Sequence, residues 1–407
     1  MKVIQINSEC GRGSTGRIAS AISRNLDEKG YENYIIYSAN HRSDDPHGIM
    51  IGTKLMLRVH QLLARVFGDA GFHSYFATQK LIRKIKEINP DLILLHNLHG
   101  YYLHIGVLFR FLKKFNKPVL WTLHDCWAFT GHCAHYQIAE CYRWQSACHD
   151  CPNRNEYPYS WFFDRSRPLF HKKKELFTSV EKLRIIVPSK WLSDEVEKSF
   201  LSDKPRYIIH NGIDLKVFAP SETDFRETHR LEEKIIVLGV AAVWSYGKGL
   251  DMIIELANRM DPQRYAFLLV GTDVSVDKAL PKNIISIHRT QNQAELAELY
   301  SAADVLINPT RQDNYPTVNM EALACGTPVI TFDTGGCSES AIEGFTKVIY
   351  SKTVDELEKA LLHISFKTKE TSEKCAKEAK RFDEQSCFAQ YVTIFEEIVK
   401  KDGEIPC

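Results

Sequence analysis

The chain has 407 residues, with 52 Lys and Arg against 51 Asp and Glu, a formal net charge of +1, and 44% hydrophobic residues. That length suffices for two ordinary domains with their own cores, and the even charge balance excludes a global bias toward nucleic acid or an acidic substrate. No run approaches the roughly 18 apolar residues a bilayer span needs, and the opening MKVIQINSECGRG reads as a strand rather than a secretory leader, so the expected location is cytoplasmic, with the eleven cysteines reduced or metal-bound.

In chain order, Lys2–Asn7 predicts a first strand. It runs into Gly11, Gly13 and Gly16 and then a helix from about Arg17 to Lys29. Glycines between a first strand and first helix allow close backbone approach to a ligand. The three satisfy Gly-x-Gly-x-x-Gly, but Ser38-Ala39-Asn40 stands at the end of the second strand, Asn33–Ser38, where a dinucleotide fold needs an acid. Residues 54–86 are strongly basic: Lys54, Arg58, Arg65, Lys80, Arg83, Lys84 and Lys86 stand against a lone Asp69. Leu55, Val59, Leu62, Leu63 and Val66 share one helical face. Such a helix lies on an anionic membrane surface or packs into the core with a solvated cationic side.

Strand Leu92–Asn97 leads into Leu98-His99-Gly100-Tyr101-Tyr102. Residues just past a parallel strand's carboxyl end face the ligand crevice, which makes Asn97, His99 and Tyr101 candidates for a sugar acceptor. Strand Pro118–Leu123 delivers His124-Asp125 in the same way. Cys133, Cys141, Cys148 and Cys151 follow as C-x7-C-x6-C-x2-C, within a cysteine-rich insertion at 126–152. Four thiolates with one close pair fit a structural zinc, free core thiols and disulfides being the alternatives. A full thiolate shell leaves no open position for catalysis. Arg184–Pro188 and Tyr207–His210 read as strands, and Asn211-Gly212 as a turn with positive φ near a domain boundary at 215.

The second half opens with strand Lys234–Val243 and the loop Trp244–Leu250, which contains Lys248. Strands follow at Ala266–Gly271, Ile284–His288, Asp304–Asn308 and Pro328–Phe332, and a helical tail runs from Glu356 to Lys401. The densest signal is Asp313–Gly336, DNYPTVNMEALACGTPVITFDTGG. A polar turn precedes helix Thr317–Cys325, Gly326 stops it, and a buried strand ends in a glycine pair. Helix N-termini suit phosphate, and Glu321, close to the first turn, suits the vicinal hydroxyls of a ribose.

This stretch resembles the signature of retaining glycosyltransferases of the GT-B fold, family 4 (glycosyl transferases group 1), of the bacterial polysaccharide-biosynthesis type. The family has an acid, seven residues, then Glu; here the first acid is Asp313 in place of Glu, and Glu321 follows. The resemblance implies an α/β fold of two facing Rossmann-like doubly wound domains with an interdomain cleft. These are an acceptor domain at 1–215, a donor domain at 216–385, and a last helix at 386–407 crossing back. It implies transfer of a sugar from a nucleotide diphosphate-sugar, UDP before GDP, to a glycan or lipid-linked saccharide in surface polysaccharide biosynthesis, with membrane contact through 54–86. His124 resembles the family histidine beside the donor sugar, where an imidazole donates to a hydroxyl or a developing charge. Asp313, Asn314 and Tyr315 hold the same sugar; Thr317, Val318 and Lys248 hold the diphosphate; Glu321 holds the ribose. Arg289 follows the strand whose end contacts the base, and Gly16 marks the closest backbone approach. Val243 stands where the family carries an arginine. With no Asp-x-Asp motif, no catalytic metal is expected. A GT-B nucleotide-sugar epimerase and a non-catalytic sugar-nucleotide-binding scaffold share these features.

Overall fold

The computed structural model describes residues 1–278 and 280–403. They divide into two units. One is Met1–His210 with the chain from Phe388 onward, and the other is Asn211–Cys387.

The first unit is built on seven parallel strands: β1 Lys2–Asn7, β2 Glu32–Ser38, β3 Gly48–Ile51, β4 Leu92–Leu95, β5 Val119–Thr122, β6 Leu183–Val187 and β7 Arg206–Ile208. Their order is β3-β2-β1-β4-β5-β6-β7. The inner strands are largely buried, as expected when helices cover both faces of a parallel sheet; every residue of β4 and β5 is buried. The sequence direction reverses between β1 and β4, and that switch point opens a crevice at the strands' carboxyl ends. The carboxyl-terminal helix, Glu384–Gly403, is tied to this unit at three points. Tyr391 Oη lies 3.3 Å from Thr122 Oγ1, Tyr31 Oη donates to Glu396 at 2.8 Å, and Arg184 pairs with Asp402 at 2.9 Å.

The second unit has β8 Ile235–Val240, β9 Tyr265–Val270, β10 Ile284–Ile287, β11 Val305–Asn308, β12 Val329–Phe332 and β13 Thr346–Ile349. All are parallel, in the order β10-β9-β8-β11-β12-β13. Its switch point lies between β8 and β11.

Several elements differ from expectation. The first helix starts at Gly13, four residues early, and runs to Glu28. The basic stretch is two helices, Lys54–Phe67 and Tyr75–Ile88, because Gly68 takes a left-handed conformation and ends the first. The tail contains three helices joined by turns: Val354–His363, Lys369–Glu378 and Glu384–Gly403. Neither Asn211 nor Gly212 has positive φ. Gly212 is required for space instead, since a Cβ there would lie 2.5 Å from Glu384 Cα.

Candidate functional site

In the second unit the loops after β8 and β11 interlock at the switch point. Gly249, at φ 76°, lets the first loop lie against the second; a Cβ there would meet the Pro309 carbonyl oxygen at 2.3 Å. Arg311 N–H donates to the Gly247 carbonyl at 2.8 Å. The Arg311 guanidinium lies 3.9 Å from the centre of the Tyr246 ring and forks onto Asp251 with two 2.7 Å bonds. This clasp brings Lys248 Nζ to 2.6 Å from Asp313 Oδ2. Burial opposes the lysine charge, but the Asp313 carboxylate outweighs it, and the Lys248 pKa is raised. The other Asp313 oxygen accepts the Asn314 N–H at 2.9 Å, and the Asn314 carbonyl accepts from Gly336 N–H at 2.8 Å. The glycine pair thereby braces the loop.

The helix Thr317–Ala324 follows Pro316, which supplies no side-chain cap. Thr317 and Val318 are its first two residues and are half-buried. First-turn amides point out of a helix and attract anions. Glu321 lies in the second turn, one position beyond the dipole-favoured first turn. It is buried, and Tyr300 Oη donates to its Oε2 at 2.9 Å. Tyr315 is buried, which pushes its hydroxyl pKa up. Arg289 is exposed just after β10, and Val243 is exposed. The cation that sequence reasoning missed is Arg311, two residues before Asp313.

In the first unit a cavity of about 620 Å³ lies at the switch point, lined by Ser8, Thr15, Lys54, Arg58, Asn97, His99, Tyr101 and Tyr157, among others. The three predicted acceptor residues therefore share one cavity. Asn7, buried at the end of β1, orders its floor by accepting the N–H groups of Ser8 at 2.9 Å and Asn97 at 3.3 Å. The Tyr101 hydroxyl is buried without a hydrogen-bond partner, and burial holds its pKa at about 12, so it stays a donor. A buried donor of this kind is costly unless a ligand or water takes it up. Gly16 is buried in the adjoining helix, where a Cβ would lie 3.2 Å from Cys10 N. Its missing side chain makes room for the chain's own loop.

His99 bridges Asp125, at 2.8 Å from Nε2, and Tyr157, at 2.9 Å from Nδ1. Burial alone raises a carboxyl pKa, but the His99 ring and the Trp127 N–H outweigh it and hold Asp125 at about 2. His124 belongs to a second chain of contacts. Gln5 Nε2 donates to the Ala19 carbonyl at 2.9 Å, so Gln5 Oε1 must accept from His96 Nε2, 3.0 Å away. Burial depresses His96 well below the usual histidine range. Its ring is therefore neutral and its Nδ1 is an acceptor. His124 Nε2, 3.1 Å from that atom, must donate to it. Burial lowers His124 to about 4, so this ring is neutral too, and its Nδ1 is an acceptor rather than the donor expected.

Cys133, Cys141, Cys148 and Cys151 line one small cavity of about 10 Å³. Burial pushes Cys133 to about 11 and Cys148 and Cys151 to about 12. All described cysteines are free thiols, and among the described residues no three His, Cys, Asp or Glu side chains are arranged to hold a metal ion.

Two parallel α/β sheets, each with polar side chains gathered at its switch point, are the architecture of GT-B glycosyltransferases. A model of glycosyl transferases group 1 matches residues 221–382, and a model of glycosyltransferase family 4 matches residues 15–217. The chain belongs to this glycosyltransferase family. WcaC of Escherichia coli K12, a glycosyl transferase named for colanic acid biosynthesis, is 25% identical over 375 residues, covering 88% of this chain and 89% of that one. The N,N'-diacetylbacillosaminyl-diphospho-undecaprenol alpha-1,3-N-acetylgalactosaminyltransferase of Campylobacter jejuni is 25% identical over 202 residues, covering 46% of this chain and 53% of that one. The fold is also that of HepE from Anabaena in complex with UDP-glucose, at TM-score 0.65 and 14% identity over 98% of this chain and 100% of that one.

Proposed function

We propose that this glycosyltransferase moves a sugar from a UDP-sugar, with retention of anomeric configuration, to the saccharide of a lipid-linked acceptor in surface polysaccharide biosynthesis. The observation that carries the donor half is the Lys248–Asp313 pair, 2.6 Å apart on the two switch-point loops. It sets a cation for the diphosphate beside a carboxylate for the sugar hydroxyls. Thr317 and Val318 offer amides to the phosphates, and Glu321, already accepting from Tyr300, accepts the ribose hydroxyls. His124, an acceptor at Nδ1, takes a hydrogen bond from a sugar hydroxyl. The bond from the anomeric carbon to phosphate breaks, a bond from that carbon to the acceptor oxygen forms on the same face, and the leaving phosphate takes the acceptor's proton. HepE, with its UDP-glucose, supports the choice of nucleotide. The names of the Escherichia and Campylobacter relatives support the pathway and the acceptor class.

Calorimetric titration with UDP, GDP and ADP tests this reading, on the wild type and on Glu321→Ala. UDP is expected to bind best. The variant should lose about 10- to 100-fold in affinity, since a hydrogen bond to a charged group contributes about 1.5–3 kcal/mol. Equal affinity of wild type and variant would remove Glu321 from the donor site, and binding of none by folded protein would overturn the donor assignment.

A further inference from the structure

The segment that follows Asp125 gathers four thiols around one small space. Cys133 is buried, and Cys141, Cys148 and Cys151 are half-buried. The cavity they line, of about 10 Å³, has room for about one particle the size of a water, which suits a single ion and excludes an organic group. The backbone is shaped to bring the thiols there. Gly131 N–H donates to Cys148 Sγ at 3.1 Å, and a Cβ on Gly131 would lie 2.8 Å from Cys148 Cβ. Glu140 and Asp150, the residues just before Cys141 and Cys151, take left-handed conformations with φ of 47° and 43°. Such angles are uncommon outside glycine, and they persist where the surroundings impose them, as at ligand clamps.

Two buried polar atoms at the same cavity have nothing to bond. Trp144 and His132 line it and are 1% and 6% exposed, and Trp144 Nε1 and His132 Nε2 lack hydrogen-bond partners. The indole N–H can only donate, a neutral thiol is a weak acceptor, and an unmet buried donor costs about 1–3 kcal/mol. Thiolates are the stronger acceptors, and a bound metal ion deprotonates the thiols that coordinate it. We propose that Cys133, Cys141, Cys148 and Cys151 bind one zinc ion as a closed structural site. Four sulfurs with one C-x-x-C pair suit zinc, which is tetrahedral and takes no part in redox chemistry. Each thiol gives its proton to solvent as its sulfur bonds the metal, so about four protons leave. In the free-thiol form no three of these side chains converge on one point, so binding draws them inward across the cavity. Arg143, which also lines it, stands beside the net negative charge that four thiolates leave on a divalent ion. The size of the cavity and the unmet indole N–H thereby favour a metal over free thiols or disulfides.

The ion would brace the segment that holds His124 and Asp125. The Thr130 hydroxyl donates to the Cys133 carbonyl at 2.6 Å, and Cys126 N–H donates to the Ala134 carbonyl at 2.8 Å. Trp127 N–H in turn donates to Asp125 at 2.9 Å. Fixing Cys133 therefore fixes the turn that begins at Asp125. The site rests on no reading of the donor or the acceptor.

Titration of the full, reduced chain with cobalt(II) and then zinc tests the proposal. Cobalt should bind at a single site and give the sulfur-to-metal absorption of a tetrahedral thiolate centre, and zinc should displace it. In the Cys141→Ser/Cys151→Ser double variant that absorption should disappear and zinc affinity should fall about 100-fold or more, two of the ligands being lost, while the UDP titration is unchanged. Should the variant fail to fold, alkylation of the wild type with peptide mapping decides instead: zinc should protect these four cysteines and no others. Folded wild type that takes up neither metal would overturn the site, as would uptake that the double variant retains. So would an alkylation pattern that zinc leaves unchanged, or disulfide bonds found throughout the four in the native chain. Metal binding without UDP binding would sink the donor assignment and leave the metal site standing.

Discussion

Lys173 has a fully buried cation to account for. It is 1% exposed, donates to the carbonyls of Trp127 at 2.8 Å and Thr130 at 3.2 Å, and lies 3.5 Å from the centre of the Trp127 ring. It thereby pins the segment that follows His124 and Asp125. Burial lowers its pKa from 10.5 to about 7. Below pH 7 both folded and unfolded chains hold the proton, and the fold bears the full penalty of about 5 kcal/mol. Between pH 7 and 10.5 the unfolded chain binds more protons, so stability rises with pH. Replacing Lys173 by Met removes this term and about two hydrogen bonds to carbonyls, a loss that does not depend on pH. The unfolding free energy of the wild type relative to Lys173→Met should therefore climb by about 2 kcal/mol from pH 7 to pH 9. Denaturant unfolding of both proteins across that range measures it. Taking the difference cancels the titration of the cysteines except for the coupling of Cys133 and Cys148 to Lys173 itself. Parallel curves would refute the burial argument.

Two further outcomes follow from the histidine chains. His96→Phe removes the acceptor that fixes the His124 tautomer, so the His124 Nε2–H resonance in nitrogen-15 NMR should shift or broaden and the transfer rate fall about tenfold or more; an unchanged resonance would show that the tautomer is set elsewhere. Asp125 has a depressed pKa of about 2, so its stabilisation is present above the unfolded value and disappears as pH falls through the folded one. Asp125→Asn should therefore cost about 2–3 kcal/mol near pH 7, and the gap from wild type should narrow below pH 4. Urea unfolding at the two pH values decides this, a constant gap counting against the His99–Asp125 contact.

The readable parts of the chain were those where chemistry is local. Asp313, Glu321 and the glycine pair occupy one stretch whose turn, helix and strand announce themselves in order, and the structure keeps that order. Gln5 and His96 went unread because their contact spans 91 positions. The edge strands β3 and β13 went unread because their mixed exposure lacks the continuous apolar run of the inner strands. For the helix Lys54–Phe67, periodicity identified an apolar face without saying what that face meets. Only the packing of His60 and Ala64 shows that the core takes another side of the helix.

The glycines make the same point about the limits of pattern. Asn211-Gly212 looked like a turn that needs positive φ, because Asn-Gly pairs are rich in such turns. The structure instead uses Gly212 for space beside Glu384, and its φ is ordinary. Gly249 needs both: its φ is 76°, and any side chain would strike Pro309. A glycine in a sequence marks a demand on the backbone but not whether the demand is an angle or a volume. At Gly249 the consequence reaches the proposed donor site. The approach it permits carries Lys248 against Asp313, so a substitution there would displace the cation from its carboxylate even if the angle were tolerated.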